Sequence, residues 1–125
     1  MANITLLIVD DDEYLRELMC GAFDDCTVIT AINGEDGDLK HAEQGPFDVV
    51  ITDLQMPICT GPEMIKRIRQ RMPDQAFMLL SGNPNLLAAA ERELKVPVMG
   101  KPFASLITFI ETVKQLAQGR NPVRS

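Results

Sequence analysis

The residues of this chain that could do chemistry are carboxylates that follow apolar segments. Asp10, Asp11 and Asp12 end one apolar run, and Asp53 ends another. Crowded carboxylates repel one another, which raises their pKa values unless positive charge lies among them. Mg²⁺ prefers hard oxygen ligands of this kind and is usually bound by one or two carboxylates while it keeps several waters. If the acids meet in space, they predict a divalent-cation site.

Two more polar residues follow apolar runs later in the chain. Ser81 ends the run AFMLLS, and Lys101 follows VPVMG. A carboxylate such as Asp53 can act as a nucleophile and form an aspartyl phosphate. Mg²⁺ and Lys101 would then neutralise the charge on the transferring group. The set of residues therefore indicates phosphoryl transfer with Mg²⁺ as the cofactor.

The pattern of apolar residues predicts the elements that position this set. Apolar segments predict strands at 4–9, 27–32, 47–52, 76–81 and 96–100, of which 4–9 and 47–52 read as strongly buried. Apolar residues at helical spacing predict helices between them, namely from Asp12 to Phe23, at 35–44, from Gly61 to Pro73, at 85–94 and from Leu106 to Ala117. This alternation predicts an α/β fold, a flavodoxin-like doubly wound parallel sheet with strand order 2-1-3-4-5.

The strand order determines which side chains would converge. The first and third strands are neighbours in it, so Asp10, Asp11 and Asp53 would meet at the carboxyl edge of the sheet. Ser81 and Lys101 would approach from the other side of Asp53. Asp12 is expected to cap the helix that follows it. The bond from Lys101 to the next residue, a proline, is a candidate for a cis peptide.

Four motifs carry a resemblance to a known family. VDDD, ITDLQMP, LLSG and GKPF, in this order and spacing, resemble the receiver domain of two-component response regulators. The resemblance covers residues 4 to about 118. It implies that Asp53 is the phosphoacceptor and that Asp11 is a direct Mg²⁺ ligand. Asp10 would act mainly through a bound water, and the backbone carbonyl of Gln55 would complete the protein ligands.

The resemblance also implies roles for the other site residues and for partners. Ser81 would hydrogen-bond the phosphoryl oxygen, and Lys101 would pair with it. A sensor histidine kinase or a histidine phosphotransfer protein would donate the phosphoryl group. Many receivers carry an aromatic residue three positions before the lysine, where this chain has Val98. Signalling across the face of helix four and strand five, toward an output domain or partner protein, must therefore differ or be muted.

The sequence is compatible with three functions. The leading one is a phosphorylation-controlled switch, which is not an enzyme but assists its own phosphoryl transfer and dephosphorylation. A second is an interaction module with a receiver fold that no longer depends on phosphorylation, which Val98 keeps open. A third is an enzyme. An aspartyl phosphatase would place a second acid where Gln55 stands, and a flavin protein would need a phosphate-binding loop where acids follow the first strand.

Composition restricts the partners and the compartment. The net charge is −6 and the pI is near 4.7, which argues against a nucleic-acid-binding face. The basic segment 66–71 is expected to be the solvated side of a helix. Three cysteines without a C-x-x-C pair favour a reducing cytosol over disulfides. The sequence shows neither a signal peptide nor an apolar run of about 20 residues, so we expect a cytoplasmic protein without membrane contact.

Two further expectations concern domain organisation and the single histidine. Residues 1–118 are expected to form one receiver domain, and residues 119–125 a flexible tail or the start of a linker. His41 lies in the helical segment with the poorest apolar pattern. It is expected to be exposed and to take no part in phosphoryl transfer.

Overall fold

Strands and helices alternate along the chain in the computed structural model, which describes residues 3–101 and 105–119. The strands are β1 (Thr5–Val9), β2 (Thr27–Ala31), β3 (Val49–Asp53), β4 (Phe77–Ser81) and β5 (Val98–Gly100). The helices are α1 (Glu13–Ala22), α2 (Gly34–Gln44), α3 (Gly61–Arg71), α4 (Pro84–Leu94) and α5 (Leu106–Ala117). All ten predicted elements are present, with boundaries that differ from the prediction by at most two residues.

The strands form one parallel sheet in the order β2-β1-β3-β4-β5, which confirms the predicted architecture. β1 pairs with both β2 and β3, and β4 lies between β3 and β5. All five strands are parallel, so their carboxyl ends lie along one edge of the sheet. Helices that return the chain to the opposite edge must cover both faces.

The core lies in two layers, one on each face of the sheet. One layer packs α2, α3 and α4 against the sheet around residues such as Val50, Ile65 and Leu87. The other packs α1 and α5 around residues such as Ile8, Met19 and Phe109. Burial on both faces explains why the central strands read as unbroken apolar runs instead of alternating ones.

The buried face of α5 differs from the predicted one. The spacing of apolar residues predicts a buried stripe of Leu106, Ile107, Ile110, Val113 and Ala117. In the structure, however, Ile107 is 69% exposed and Leu106 is 38% exposed. Val113 is buried as the stripe predicts, and Phe109, which lies outside the stripe, is buried as well. The ring of Phe109 meets Phe23 edge to face with centroids 5.6 Å apart. The helix carries apolar residues around much of its surface, so the spacing of these residues does not determine which face is buried. The packing of Phe109 against Phe23, at the end of α1, determines it.

His41 is buried, which contradicts the expectation that it is exposed. It is 4% exposed, and its Nε2 lies 2.8 Å from Oε1 of Gln75. Its ring also lies near Phe47, with centroids 6.0 Å apart. The sequence pattern of α2 is weak because a histidine and glycines take the place of large apolar residues on the face that packs on α3. Gly37 is buried on this face. A Cβ at this position would lie only 2.5 Å from Sδ of Met64 and 3.0 Å from Cγ2 of Val9, so the close packing requires glycine.

Other expectations concern the surface and the cysteines. Residues 66, 67 and 71 of the basic segment are exposed, as predicted, whereas Arg69 is half-buried and lies over the ring of Phe77. All three cysteines are free. The predicted cis bond after Lys101 lies outside the described residues, within which the Gly45–Pro46 bond is cis. Among the described helices, none is both long and apolar enough to cross a membrane.

Candidate functional site

Three carboxylates lie together at the carboxyl edge of the sheet. Asp10 and Asp11 directly follow β1, and Asp53 is the last residue of the neighbouring β3. One oxygen from each lies within 4.8 Å of the others. Asp10 is fully buried, Asp53 is half-buried and Asp11 is exposed. The cluster is therefore open to solvent on the Asp11 side.

Asp10 is held from several directions. Its N–H donates to the carbonyl of Ala31 at 3.1 Å, which extends the pairing of β1 with β2. Its Oδ1 accepts the N–H of Asp12 at 2.9 Å, and its Oδ2 lies 3.1 Å from Nζ of Lys101. Both carboxylate oxygens thus already have partners. This arrangement suits a residue that would act on a cation through a water molecule.

Lys101 joins the two sides of the site. Its Nζ lies 3.1 Å from Asp10 and 3.4 Å from Oδ1 of Asp53. Its N–H donates to the carbonyl of Ser81 at 2.9 Å, which continues the pairing of β4 with β5. The lysine is therefore placed by the sheet and reaches across the end of β3 with its side chain.

The charges within the site do not balance. Burial raises the pKa of Asp53 above its ordinary value, the ammonium of Lys101 opposes this, and the carboxylate of Asp10 adds to it. Among the described residues, Lys101 is the one cation in a salt bridge with any of these three carboxylates, so negative charge remains in excess. Hard oxygen donors with excess negative charge and an open side fit a hydrated Mg²⁺ ion. The residues present are thus compatible with the predicted cofactor.

Ser81 lies beside Asp53 at the end of the adjacent strand. It is 3% exposed, and its Oγ accepts the N–H of Asn83 at 3.0 Å. This bond uses a lone pair of the hydroxyl and leaves its hydrogen to donate elsewhere. Asn83 in turn caps α4, because its Oδ1 accepts the N–H groups of Asn85 and Leu86. A ligand that draws on Ser81 would therefore act next to the first turn of α4.

The segment after Asp53 passes through Gln55, which is exposed. The segment is closed at its base, where the N–H of Gly61 donates to the carbonyl of Leu54 at 3.2 Å. A Cβ at Gly61 would lie 2.3 Å from the carbonyl oxygen of Asp53. Only glycine permits this close approach, so Gly61 brings the start of α3 against the end of β3.

Two neighbours of the site have structural roles. Asp12 is the N-cap of α1, as predicted, and its side chain accepts the N–H of Leu15. Thr60 and Glu63 form a capping box at the start of α3. The sequence TGPE at 60–63 matches the S/T-x-x-E pattern of a capping box, so the sequence contains the signal for this cap.

Arg16 also reaches the site, which the sequence pattern does not predict. Its Nη1 donates to the main-chain carbonyl of Asp10 at 2.7 Å, so it reaches the site from α1. A main-chain acceptor cannot be recognised from the sequence, and an arginine in a helix can have many other roles.

Val98 is half-buried and packs against the core. As a valine, it provides no aromatic side chain at this position.

Comparison with known proteins places this geometry in a family. The family model for the response regulator receiver domain matches residues 6–104, and the chain belongs to that family. The matched segment includes the carboxylate cluster, Ser81 and Lys101.

Individual relatives agree with this assignment. A response regulator receiver protein of Anaeromyxobacter is 34% identical over 104 residues, which cover 78% of this chain and 42% of that protein. Sensor kinase CckA of Brucella abortus is 29% identical over 93% of this chain and 13% of its own length. The structure of chemotaxis protein CheY4 of Vibrio cholerae superposes with a TM-score of 0.81, at 25% identity and over 92% of this chain and 99% of that one. The chain thus spans less than half the length of these two sequence relatives and nearly all of CheY4.

Proposed function

We propose that this chain is a phosphorylation-controlled switch in which Asp53 accepts a phosphoryl group from a sensor histidine kinase or a histidine phosphotransfer protein. The observation that carries the proposal is the meeting of Asp10, Asp11 and Asp53 with the Lys101 ammonium at one edge of the sheet. A purely structural ion pair would need one carboxylate for this lysine. With three carboxylates, negative charge remains that a bound cation could neutralise.

In the proposed transfer, a carboxylate oxygen of Asp53 attacks phosphorus, and the bond from phosphorus to the donor imidazole nitrogen breaks. The electron pair of that bond remains on the nitrogen. Lys101 neutralises a phosphoryl oxygen, and the hydroxyl hydrogen of Ser81 is donated to another. Bound Mg²⁺ supplies further positive charge that stabilises the transferring group. Lys101 already lies 3.4 Å from Asp53, and Ser81 ends the adjacent strand, so both groups are close to where the charge develops.

The ligands for Mg²⁺ would be Asp11 and Asp53 directly, the backbone carbonyl of Gln55, and Asp10 through water. This division agrees with burial and bonding. Asp11 is exposed, whereas both carboxylate oxygens of Asp10 are engaged by the chain itself. Removal of the ion would leave the excess negative charge of the site uncompensated and should prevent transfer.

The signal would leave the site through Ser81 and α4. A phosphoryl group adds a charge of about −1.5 to −2 and strong acceptor oxygens. A shift of Ser81 toward those oxygens would alter its bond with Asn83, the cap of α4. The output would then be a change at the face of α4 and β5, read by an output domain or a partner protein. Val98 on this face has no bulky ring to move, so we expect α4 to carry the change. The complete set of site residues does not favour a module that ignores phosphorylation.

The proposed domain organisation assigns residues 1–118 to the receiver and 119–125 to a tail or linker. Free cysteines accord with a reducing cytoplasm as the setting for the phosphotransfer. The partners are proteins, and the acidic charge of the chain does not suit direct contact with nucleic acid.

Mass spectrometry after incubation with acetyl phosphate and Mg²⁺ tests the proposal. We expect one added phosphoryl mass in the native chain, and none in Asp53→Asn or when EDTA replaces Mg²⁺. Asp74→Asn is a matched control, because Asp74 is exposed and precedes β4 at the opposite edge of the sheet. Absence of an adduct in the native chain, or an adduct that persists in Asp53→Asn, would refute the assignment.

A further inference from the structure

We propose that Arg16 is a positioning residue for the cation site, which it controls by holding the main-chain carbonyl of Asp10. The inference rests on the proposed function, because it concerns the Mg²⁺ that the carboxylates would bind. It assigns a task to a residue that touches neither the phosphoryl group nor the ion.

The contact is short and partly buried. Nη1 of Arg16 lies 2.7 Å from the carbonyl oxygen of Asp10, at the lower end of the range for a charge-assisted hydrogen bond. The main chain of Arg16 is also anchored, because its N–H donates to the carbonyl of Asp12 at 3.0 Å. The guanidinium therefore extends from the first turn of α1 back to the end of β1.

This carbonyl matters because of the geometry of the peptide group. The peptide bond from Asp10 to Asp11 is planar, so its carbonyl oxygen and the N and Cα atoms of Asp11 move as one unit. Rotation of that plane would swing Asp11, the most exposed carboxylate of the cluster. The N–H and the side chain of Asp10 are held by Ala31, Asp12 and Lys101, and none of these contacts acts on the carbonyl. Arg16 supplies that restraint.

The type of side chain also fits the task. Arg16 contributes positive charge near the acids, but its bond goes to the backbone, so it does not neutralise a carboxylate that the cation needs. Its planar guanidinium keeps its charge and loses less freedom per hydrogen bond than an ammonium does. A lysine would carry the same charge on a strongly hydrated, more flexible group.

The test compares the Mg²⁺ affinity of the native full chain with that of variants at Arg16. The affinity is measured from backbone amide NMR shifts during titration with Mg²⁺. We expect Arg16→Met to raise the Kd for Mg²⁺ by about 10-fold to 100-fold, as the loss of an outer partner of a metal ligand commonly does. Arg16→Lys should give an intermediate Kd, because it restores the charge without the geometry. Arg92→Met is the matched control for lost charge, since Arg92 is exposed in the last turn of α4.

The outcomes separate this inference from the proposed function. If the native chain itself does not bind Mg²⁺, the proposed function fails. If the native chain binds Mg²⁺ and Arg16→Met binds it with the same Kd, the role of Arg16 is overturned. Thermal melts with and without Mg²⁺ identify a merely structural role. In that case Arg16→Met would lower the Tm without metal but would show the same increase in Tm on adding Mg²⁺ as the native chain. Should Arg16→Met fail to fold, an unchanged Kd in Arg16→Lys would overturn the inference.

Discussion

Asp53 lies half-buried between one cation, Lys101, and one buried carboxylate, Asp10. Burial raises the pKa of its side chain, and the attraction of Lys101 only partly offsets this. Its folded pKa is therefore above its unfolded pKa, and the folded state binds more protons in the interval between them. Stability must fall as the pH rises through that interval. At neutral pH, without metal, the Asp53 carboxylate therefore destabilises the fold.

Replacement of this one carboxylate should reveal its electrostatic cost. In EDTA at neutral pH, Asp53→Asn should have a higher Tm than the native chain, because the neutral amide needs no compensating charge. The difference should shrink as the pH falls and disappear below the unfolded pKa of Asp, about 3.9, where both chains are neutral at this position. Thermal melts across this pH range, followed by circular dichroism, measure the effect.

The control for that prediction is Asp74→Asn, which makes the same chemical change at an exposed position away from the site. Its Tm should stay within the small range typical of surface substitutions. A lower Tm for Asp53→Asn at neutral pH would show that the attraction of Lys101 outweighs burial and the repulsion from Asp10.

At the scale of elements, the segment between β3 and α3 contains a strained residue. Ile58 has a φ of 72°, a left-handed conformation that is unfavourable for a β-branched side chain. The segment is constrained around it. The N–H of Cys59 donates to the carbonyl of Pro57 at 2.7 Å, and the carbonyl of Cys59 accepts the N–H of Gly34 at 3.0 Å. Such strain persists only where neighbouring contacts determine the backbone.

Relief of this strain should stabilise the protein. Ile58 is 76% exposed, so its side chain contributes little burial. A left-handed non-glycine residue costs of order 1–3 kcal/mol, and glycine loses roughly 0.5–1 kcal/mol in entropy. Ile58→Gly should therefore raise the free energy of unfolding by about 1 kcal/mol, measured by urea denaturation. Ile58→Val keeps the branched Cβ and should show no gain, whereas destabilisation by glycine would mean that the side chain makes an important contact.

At the scale of the whole molecule, Gln75 connects segments far apart in the sequence. Its Oε1 accepts from the N–H of Phe47 at 3.2 Å and lies 2.8 Å from Nε2 of His41. Its Nε2 donates to the carbonyls of Phe47 and Ala76 at 2.7 and 3.0 Å. One buried amide thus ties the end of α2, the entry to β3 and the entry to β4. Because its nitrogen donates to two carbonyls, its oxygen must be the acceptor, and His41 must carry a proton on Nε2.

Loss of this amide should be costly although it lies far from the site. Gln75→Leu keeps the volume but leaves the N–H and carbonyl of Phe47 and the ring of His41 without their partner. A buried group left unsatisfied costs about 1–3 kcal/mol, so we expect a loss of about 2–4 kcal/mol in urea denaturation. Gln70→Leu, at an exposed position on α3, should change stability by less than about 0.5 kcal/mol. A similar small effect at Gln75 would mean that water replaces the amide.

Much of the fold and the convergence of the candidate site could be predicted from local patterns. Unbroken apolar runs indicated strands buried on both faces, and alternation with helical spacing indicated a parallel sheet. Since the carboxyl ends of parallel strands meet at one edge, Asp10, Asp11 and Asp53 could be brought together before any distance was known. The cap formed by Asp12 was equally readable, because capping depends on residues three positions apart.

What only the tertiary structure decided depends on contacts between distant segments. The burial of His41 follows from a glutamine 34 residues away, and the face of α5 follows from Phe23, the residue at the C-terminal cap of α1. The reach of Arg16 to a main-chain carbonyl depends on how α1 leaves the sheet. The spacing of apolar residues in a sequence indicates which segments form strands or helices. The alternation of these elements then indicates the edge of the sheet at which the strands end. The sequence does not record which partner each buried polar group finds, because that choice is made by packing after the elements have formed.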